Sequence, residues 1–362
     1  MNLWLDKLLN GCGYSNMAVV VILKCVNRVR TIFKVELKMA QPSFKTVFVF
    51  LDTDKFCSPF DMLVAIDAFP DSMIFKYENV TGEDAAKIVF DALFPRGPMG
   101  AAHTKIFING SNFDMVSEVV AATQKCMASA PWGTSIIVDP RGAYSTAAGA
   151  VAKTLGLSLE KGFGTLEGKN VTVLAGTGPV GQTAARIYAA EKANVVITSR
   201  TLAKGQAVAD KINKEAGAER VKVVEVTKSE QTGVAIKDAE IILAAGAGGI
   251  QLLSAEELNK YGKKCKIVAD INAIKPVGAE GLGSNDDGKE LKPGVFGIGA
   301  LAIGKLKIKI ETDMIKRAAE APQGLFDYAI AYDIGKQAIL KKLAKAKEAA
   351  AAPKEQPKSW MP

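Results

Sequence analysis

The chain has 362 residues, 48% of them hydrophobic and 23% charged, the balance of a globular protein of two domains, three at most. That excludes a chain disordered throughout, a collagen-like repeat and a disulfide-stapled miniprotein. No apolar run nears the roughly 20 residues of a membrane span, so a polytopic membrane protein is excluded too. The net charge of +8 sits in the ends: residues 1–40 carry +4 and residues 341–362 another +4. The neutral body between them offers no basic face, and no nucleic-acid partner is expected.

One histidine, His103, is present, which excludes any site needing two, and no metal centre is expected. The five cysteines (Cys12, Cys25, Cys57, Cys126 and Cys265) are scattered and form no C-x-x-C pair. They read as reduced thiols of a cytoplasmic protein.

Residues 1–40 form an extension unlike the rest. Its apolar run Ala18–Leu23 is too short to span a bilayer, and Lys24, Arg28 and Arg30 follow the run rather than precede it, unlike a secretory signal. The extension is expected to be accessory, with no stable membrane insertion. From Thr46 strands and helices alternate. Thr46–Leu51 is a strand, Ser58-Pro59 caps a helix to Ala68, and Met73–Phe75 is a short strand. Thr81 caps the next helix. Strand 104–108, helix 112–128, strand 135–139 and an alanine-rich helix 145–156 follow. Such alternation predicts parallel strands joined by helical crossovers.

After a glycine-containing connection at 162–168 a second unit begins. Strands are predicted at 171–175, 194–199, 221–226, 240–245 and 266–270, with helices at 180–192, 202–216, 229–238 and 254–260. Residues 294–304 are glycine-rich and apolar, and helices at 306–321 and 325–346 pack back. The division is therefore an extension (1–40), a first α/β domain (41–160), a second, doubly wound α/β domain (161–305), returning helices (306–346) and a disordered tail (347–362).

Gly176-Thr177-Gly178-Pro179-Val180-Gly181 follows a hydrophobic strand and opens a helix. In that context G-x-G-x-x-G has a mechanism: a tight turn, close approach of backbone to a pyrophosphate, and close helix–strand packing. The next strand ends in Ser199-Arg200, with Lys204 one turn on, where an NAD-binding chain carries an acid. A hydroxyl and two cations suit a 2′-phosphate, which makes NADP the expected cofactor. Ala245, Gly246, Asp270 and Asn272 end later strands and are expected to line the nicotinamide side, although Asp270 equally suits a turn cap. In the first domain Asp52-Thr-Asp54 ends a strand, and Ser58, Phe60, Asp61 and Asp67 lie on the helix that follows. Their polar groups suit a heterocycle with N–H donors, or equally ordinary caps and turns.

Gly176–Gly181, Ser199-Arg200 and Ala269–Ala273 together resemble the NADP-dependent methylene-tetrahydromethanopterin dehydrogenases, from about Thr46 to Lys336. The more specific pieces are Ser58-Pro-Phe-Asp61, Ala65-Ile-Asp67, Val173–Gly181 and Gly297–Gly304 followed by Leu306-Lys307. Asp52-Thr-Asp54 is similar to the branch that also accepts methylene-tetrahydrofolate, and Ser58-Pro-Phe-Asp61 to the strict methanopterin branch. The resemblance implies two α/β domains around a cleft, a tetrahydromethanopterin- or tetrahydrofolate-type substrate held mainly by the first, a homo-oligomer, and an orienting role for Lys307. It also implies hydride transfer without a general base, in keeping with the scarcity of histidine. Two other readings stay open: a shikimate-type dehydrogenase drawing its lysine from Lys45, Lys55 or Lys105, and a non-catalytic NADPH sensor.

Overall fold

The computed structural model describes residues 44–129 and 132–351. The expectations for the extension 1–40 and for the end of the tail lie outside these residues. Two sheets organise the chain. The first unit runs β1 (Val47–Asp52), α1 (Pro59–Ala68), β2 (Met73–Tyr77), α2 (Gly82–Leu93), α3 (Gly97–Ala101), β3 (Thr104–Asn109), α4 (Phe113–Ser129), β4 (Ser135–Val138) and α5 (Ala143–Glu160). The second runs β5 (Asn170–Leu174), α6 (Pro179–Ala190), β6 (Asn194–Ser199), α7 (Leu202–Ala216), β7 (Val221–Glu225), α8 (Ser229–Ile236), β8 (Ile241–Ala244), α9 (Ala255–Lys260) and β9 (Ile267–Asp270). It closes with β10 (Asp287–Lys292), β11 (Val295–Ile298) and α10 (Ala300–Glu320), after which come β12 (Gly324–Phe326) and α11 (Tyr328–Ala351).

The first sheet has the order β12-β4-β3-β1-β2 and every pair in it is parallel. The second has the order β10-β11-β9-β8-β5-β6-β7, parallel except for the β10–β11 hairpin. In each sheet the order reverses beside the first strand, between β1 and β3 and between β5 and β8. The carboxyl ends there form the crevices in which open α/β sheets bind ligands.

The strands read as continuous apolar runs because both of their faces are covered. Phe48 and Phe50 of β1 face one core, while Val47, Val49 and Leu51 face another beneath α2 and α4. The first of these cores is shared between the two sheets. Its middle is α5, whose small residues are buried on all sides from Ala143 to Ser158, the pattern of a helix enclosed by protein. Its Thr154 hydroxyl and the Tyr188 hydroxyl of α6 lie 2.8 Å apart and satisfy each other inside that core.

Several elements differ from the sequence pattern. Phe94–Arg96 and α3 form short helical turns where none is predicted. β10 is charged along its length and lies at an edge, so it carries no hydrophobic signal. The glycine-rich segment 294–304 divides into β11 and the first turn of α10, which therefore starts at Ala300 rather than 306. The three residues of β12 return to pair with β4 in the first sheet, and α11 runs on to Ala351 where the pattern stops at 346.

The closeness of α5 to α11 depends on Gly156, where an added Cβ would stand 2.5 Å from Ile339 Cγ2. Gly156→Val is expected to cost about 1–3 kcal/mol by overpacking, outweighing the gain in helix propensity. A fall in the urea unfolding midpoint checks this.

Candidate active site

At the carboxyl end of β5 the chain turns sharply: Ala175 has φ 56°, and the Gly176 N–H donates to Thr198 O at 2.9 Å. An added Cβ on Gly181 would lie 2.6 Å from Ala175 O, so that glycine serves helix–strand contact. Gly178 differs. Its added Cβ would meet nothing nearer than Ala175 O at 3.4 Å and Ala245 O at 3.9 Å. Protein packing does not require a glycine there, and the open backbone leaves room for the close approach of a pyrophosphate. Pro179 and Val180 follow in the first turn of α6, with Gly178 as N-cap and Thr177 half-buried beside it. Ala245, at the end of β8, faces the same loop. Gly246 is held against Leu252. These residues fit a dinucleotide.

At the end of β6, Ser199 Oγ donates to Thr201 O (2.8 Å) and accepts from Thr201 N–H (3.2 Å), while Arg200 and Lys204 are exposed on the turn into α7. The neighbouring strand brings an acid that the end of β6 does not reveal. Glu225 lies in register with Ser199 and accepts from Leu202 N–H at 3.1 Å, at the start of α7. Asp270 and Asn272 are turned into their own loop. Asp270 accepts from Asn272 N–H (2.8 Å) and Ala279 N–H (3.0 Å), while Asn272 donates to Pro276 O and accepts from Ile274 N–H. Both brace residues 270–279, and burial raises the Asp270 carboxyl.

The first sheet assembles a denser group. Asp52 ends β1 in register with Asn109 of β3, and its carboxylate accepts from Asp54 N–H (2.9 Å) and Ser58 N–H (3.1 Å). Ser58 is the N-cap of α1, so Asp52 ties that helix to the strand end. Arg141 spans the two acids. Its Nη2 reaches Asp52 Oδ1 at 3.2 Å and Asp54 Oδ2 at 2.6 Å, its Nε reaches Asp54 at 2.8 Å, and Nη2 also donates to Phe56 O. Burial pushes the Asp52 carboxyl up against these donors. For Asp54 burial acts the same way, but Arg141 and Ser111 outweigh it and hold the carboxyl below the ordinary range. Arg141 has φ 49°, a left-handed conformation rare outside glycine and characteristic of functional turns.

Asn109 links this pair to a second group by donating to Asp61 Oδ2 at 2.6 Å and accepting from Arg141 N–H at 2.7 Å. Asp139, after β4, caps α5 by accepting from Tyr144 and Ser145 N–H. From α10, Lys307 pairs with Glu311 one turn on. The Lys307 Nζ stands 4.0 Å over the Phe60 ring, and an added Cβ on Gly142 would meet its Cε at 3.1 Å. Asp61, Asp139 and Glu311 are each at most 1% exposed. Each also keeps one oxygen without a hydrogen-bond partner: Asp61 Oδ1, Asp139 Oδ2 and Glu311 Oε1. Burial, above all, raises the carboxyls of Asp139 and Glu311, the latter to about 8.

The structure thus gathers Asp52, Asp54, Ser58, Phe60, Asp61 and Lys307, whereas Asp67 is exposed farther along α1. Sequence reasoning missed Asn109, Asp139, Arg141, Glu311 and Glu225. Asp139-Pro-Arg-Gly142 at a strand end and the i, i+4 spacing of Lys307 and Glu311 were the available signals.

Residues 59–141 match the family model "Methylene-tetrahydromethanopterin dehydrogenase, N-terminal", and residues 158–280 match "Shikimate / quinate 5-dehydrogenase". The quinate dehydrogenase of Corynebacterium glutamicum, solved with NAD, aligns with a TM-score of 0.44 at 11% identity, covering 77% of this chain and 98% of that one. Two proteins of Methylorubrum extorquens are more similar in sequence. The NAD(P)-dependent methylenetetrahydromethanopterin dehydrogenase is 32% identical, the match covering 77% of this chain and 94% of that protein. The bifunctional protein MdtA is 36% identical, over 82% and 99%. With its glycine turn intact and its match running through nearly the whole length of both relatives, the chain belongs to the methylene-tetrahydromethanopterin dehydrogenase family.

Proposed function

We infer that the protein oxidises the methylene bridge of methylene-tetrahydromethanopterin, and of the tetrahydrofolate analogue, to the methenyl form in one-carbon metabolism, with NADP as acceptor. One observation carries the reading. Helix α10 starts at the carboxyl end of β11 in the dinucleotide-type sheet and delivers Lys307 into the carboxylate group of the other sheet. In this reading residues 41–160 serve the pterin and residues 161–305 the dinucleotide.

The carbon between two amine nitrogens can lose hydride directly, because their lone pairs stabilise the cation formed. NADP supplies the hydride-accepting nicotinamide; Gly176–Gly181 would hold its pyrophosphate, and Ser199, Arg200 and Lys204 its 2′-phosphate. The protein's task is placement and exclusion of water. Phe60 and Lys307 orient the pterin. Asp54, fixed by Arg141 and backed by the buried Asp52, accepts from the pterin N–H groups.

The shikimate-type reading lacks its lysine. Lys45 and Lys105 lie at the amino end of the first sheet, and Lys105 Nζ, its pKa lowered by burial to about 8, donates to Ala321 O. Lys55 is exposed with its ammonium 5.4 Å from the Phe56 ring.

No helix among the described residues is long and apolar enough to cross a membrane. A cytoplasmic homo-oligomer fits the reading, supported by Met73, Phe75 and Tyr77, which are 42–48% exposed on the edge strand β2. Light scattering is expected to give a mass that is a multiple of 38.3 kDa.

Following NADP reduction with methylene-tetrahydromethanopterin tests the function. Turnover is expected for the wild type, and Lys307→Ala should lower kcat about 10- to 100-fold with NADP affinity within about twofold. Absence of turnover with either pterin overturns the reading. Arg200→Ala should raise the KM for NADP about 10- to 100-fold, through loss of a charge-assisted pair, and leave NAD use nearly unchanged. Glu225→Gln should act in the opposite direction, since it removes a like charge beside the 2′-phosphate position. Equal damage to both cofactors would sink the assignment.

A further inference from the structure

We propose that Glu311, with Asp139 behind it, is a positioning residue that sets where the Lys307 ammonium stands between its own helix and the substrate. The proposal rests on the role given to Lys307 above and extends it to a group that hydride transfer itself does not require.

The argument starts from charge. Asp61 enters from α1, Asp139 from the turn after β4, and Lys307 and Glu311 from α10; the Phe60 ring and Gly142 complete the surroundings. Three buried carboxylates thus face one ammonium. Ionising all of them would leave surplus negative charge out of water, which is costly, so the group retains protons instead. The physical causes agree: burial first, then the charges of Asp139 and Asp61, raise Glu311 to about 8, and the Lys307 charge only partly opposes them. Asp139 is raised by the same burial and by Asp61.

At neutral pH, therefore, Glu311 is predominantly protonated. Its Oε2 accepts one hydrogen bond from Lys307 and leaves the remaining N–H donors to point past Phe60. Gly142 provides the space: a larger residue there would press on Lys307 Cε and Nζ. Above about pH 8 Glu311 ionises. The full ion pair then holds the ammonium against Glu311 at the expense of its contact with the pterin. Turnover acquires an alkaline limb although no proton moves in the chemical step.

The test compares the full-length wild type with Glu311→Gln and Glu311→Ala, reading kcat, KM for the pterin and NADP affinity from mildly acidic to alkaline pH. Wild-type kcat is expected to fall as pH rises through about 8. Glu311→Gln, neutral at every pH and of the same shape, should keep neutral-pH turnover within about threefold and lose the limb. Glu311→Ala should lose about 10-fold or more at every pH through misplacement, with NADP affinity unchanged. A Gln variant that keeps the limb, or is as impaired as the Ala variant, overturns the proposal.

A readout independent of activity separates this from failure of the functional reading. The folded chain holds a proton on Glu311 that the unfolded chain has lost, so wild-type stability should fall as pH rises from the ordinary glutamate range to about 8. Glu311→Gln should remove that component. Infrared titration of the folded wild type should show a protonated buried carboxyl at neutral pH that disappears as pH rises through about 8. Its absence at neutral pH overturns the proposal even if neither variant folds.

Discussion

One ammonium among three buried carboxylates is the constraint around which the rest of the site is arranged. Lys307 is kept beside Glu311 by the geometry of a single helical turn, and α10 is brought close because Gly142 and Gly149 leave room for it. Asp139 does two things at once, capping α5 with one oxygen and facing the lysine group with the other. Asn109 joins Asp61 to the Arg141 turn, so the inner acids and the outer Asp52–Asp54 pair form one connected system. Removing Lys307 would leave buried carboxylates without their cation, which costs more than the lost contact alone.

The two acidic pairs differ in character. Asp52 and Asp54 share a guanidinium that cannot lose its proton and that holds both in place. Asp139 and Glu311 have a lysine as their one cation, and burial raises both carboxyls. The two groups therefore differ in how firmly their charge is fixed, one by a guanidinium and the other by a single ammonium.

Much of this was legible in the residues. The glycine turn declared itself because its pattern follows a strand and opens a helix, and Ser58-Pro59 marked the start of α1. What stayed hidden was whatever depends on neighbours distant in sequence. Glu225 acquires meaning only through its register with Ser199. Glu311 reads in the chain as one more charge on a helix carrying Lys305, Lys307 and Lys309, and only the packing of α10 against α5 shows it to be buried. β12 is too short to carry a period-two signal, and β10 is polar because it lies at an edge. Asp270 and Asn272 look in the sequence like cleft residues, yet their hydrogen-bonding capacity is spent bracing a loop.

The return of β12 to the first sheet bears on how the two halves can move. The chain passes between them after α5, again between α10 and β12, and a third time along α11, whose Lys336 Nζ meets Glu191 Oε1 at 2.6 Å. The second passage is anchored, because Ala321 O accepts from both the buried Lys105 ammonium (2.6 Å) and the Ser135 hydroxyl (3.0 Å). Three passages over one shared core fix the halves more firmly than one would. Lys307 sits on the helix that leads into the second crossing. The position of the ammonium is therefore set by how the two halves are held together, not by α10 alone.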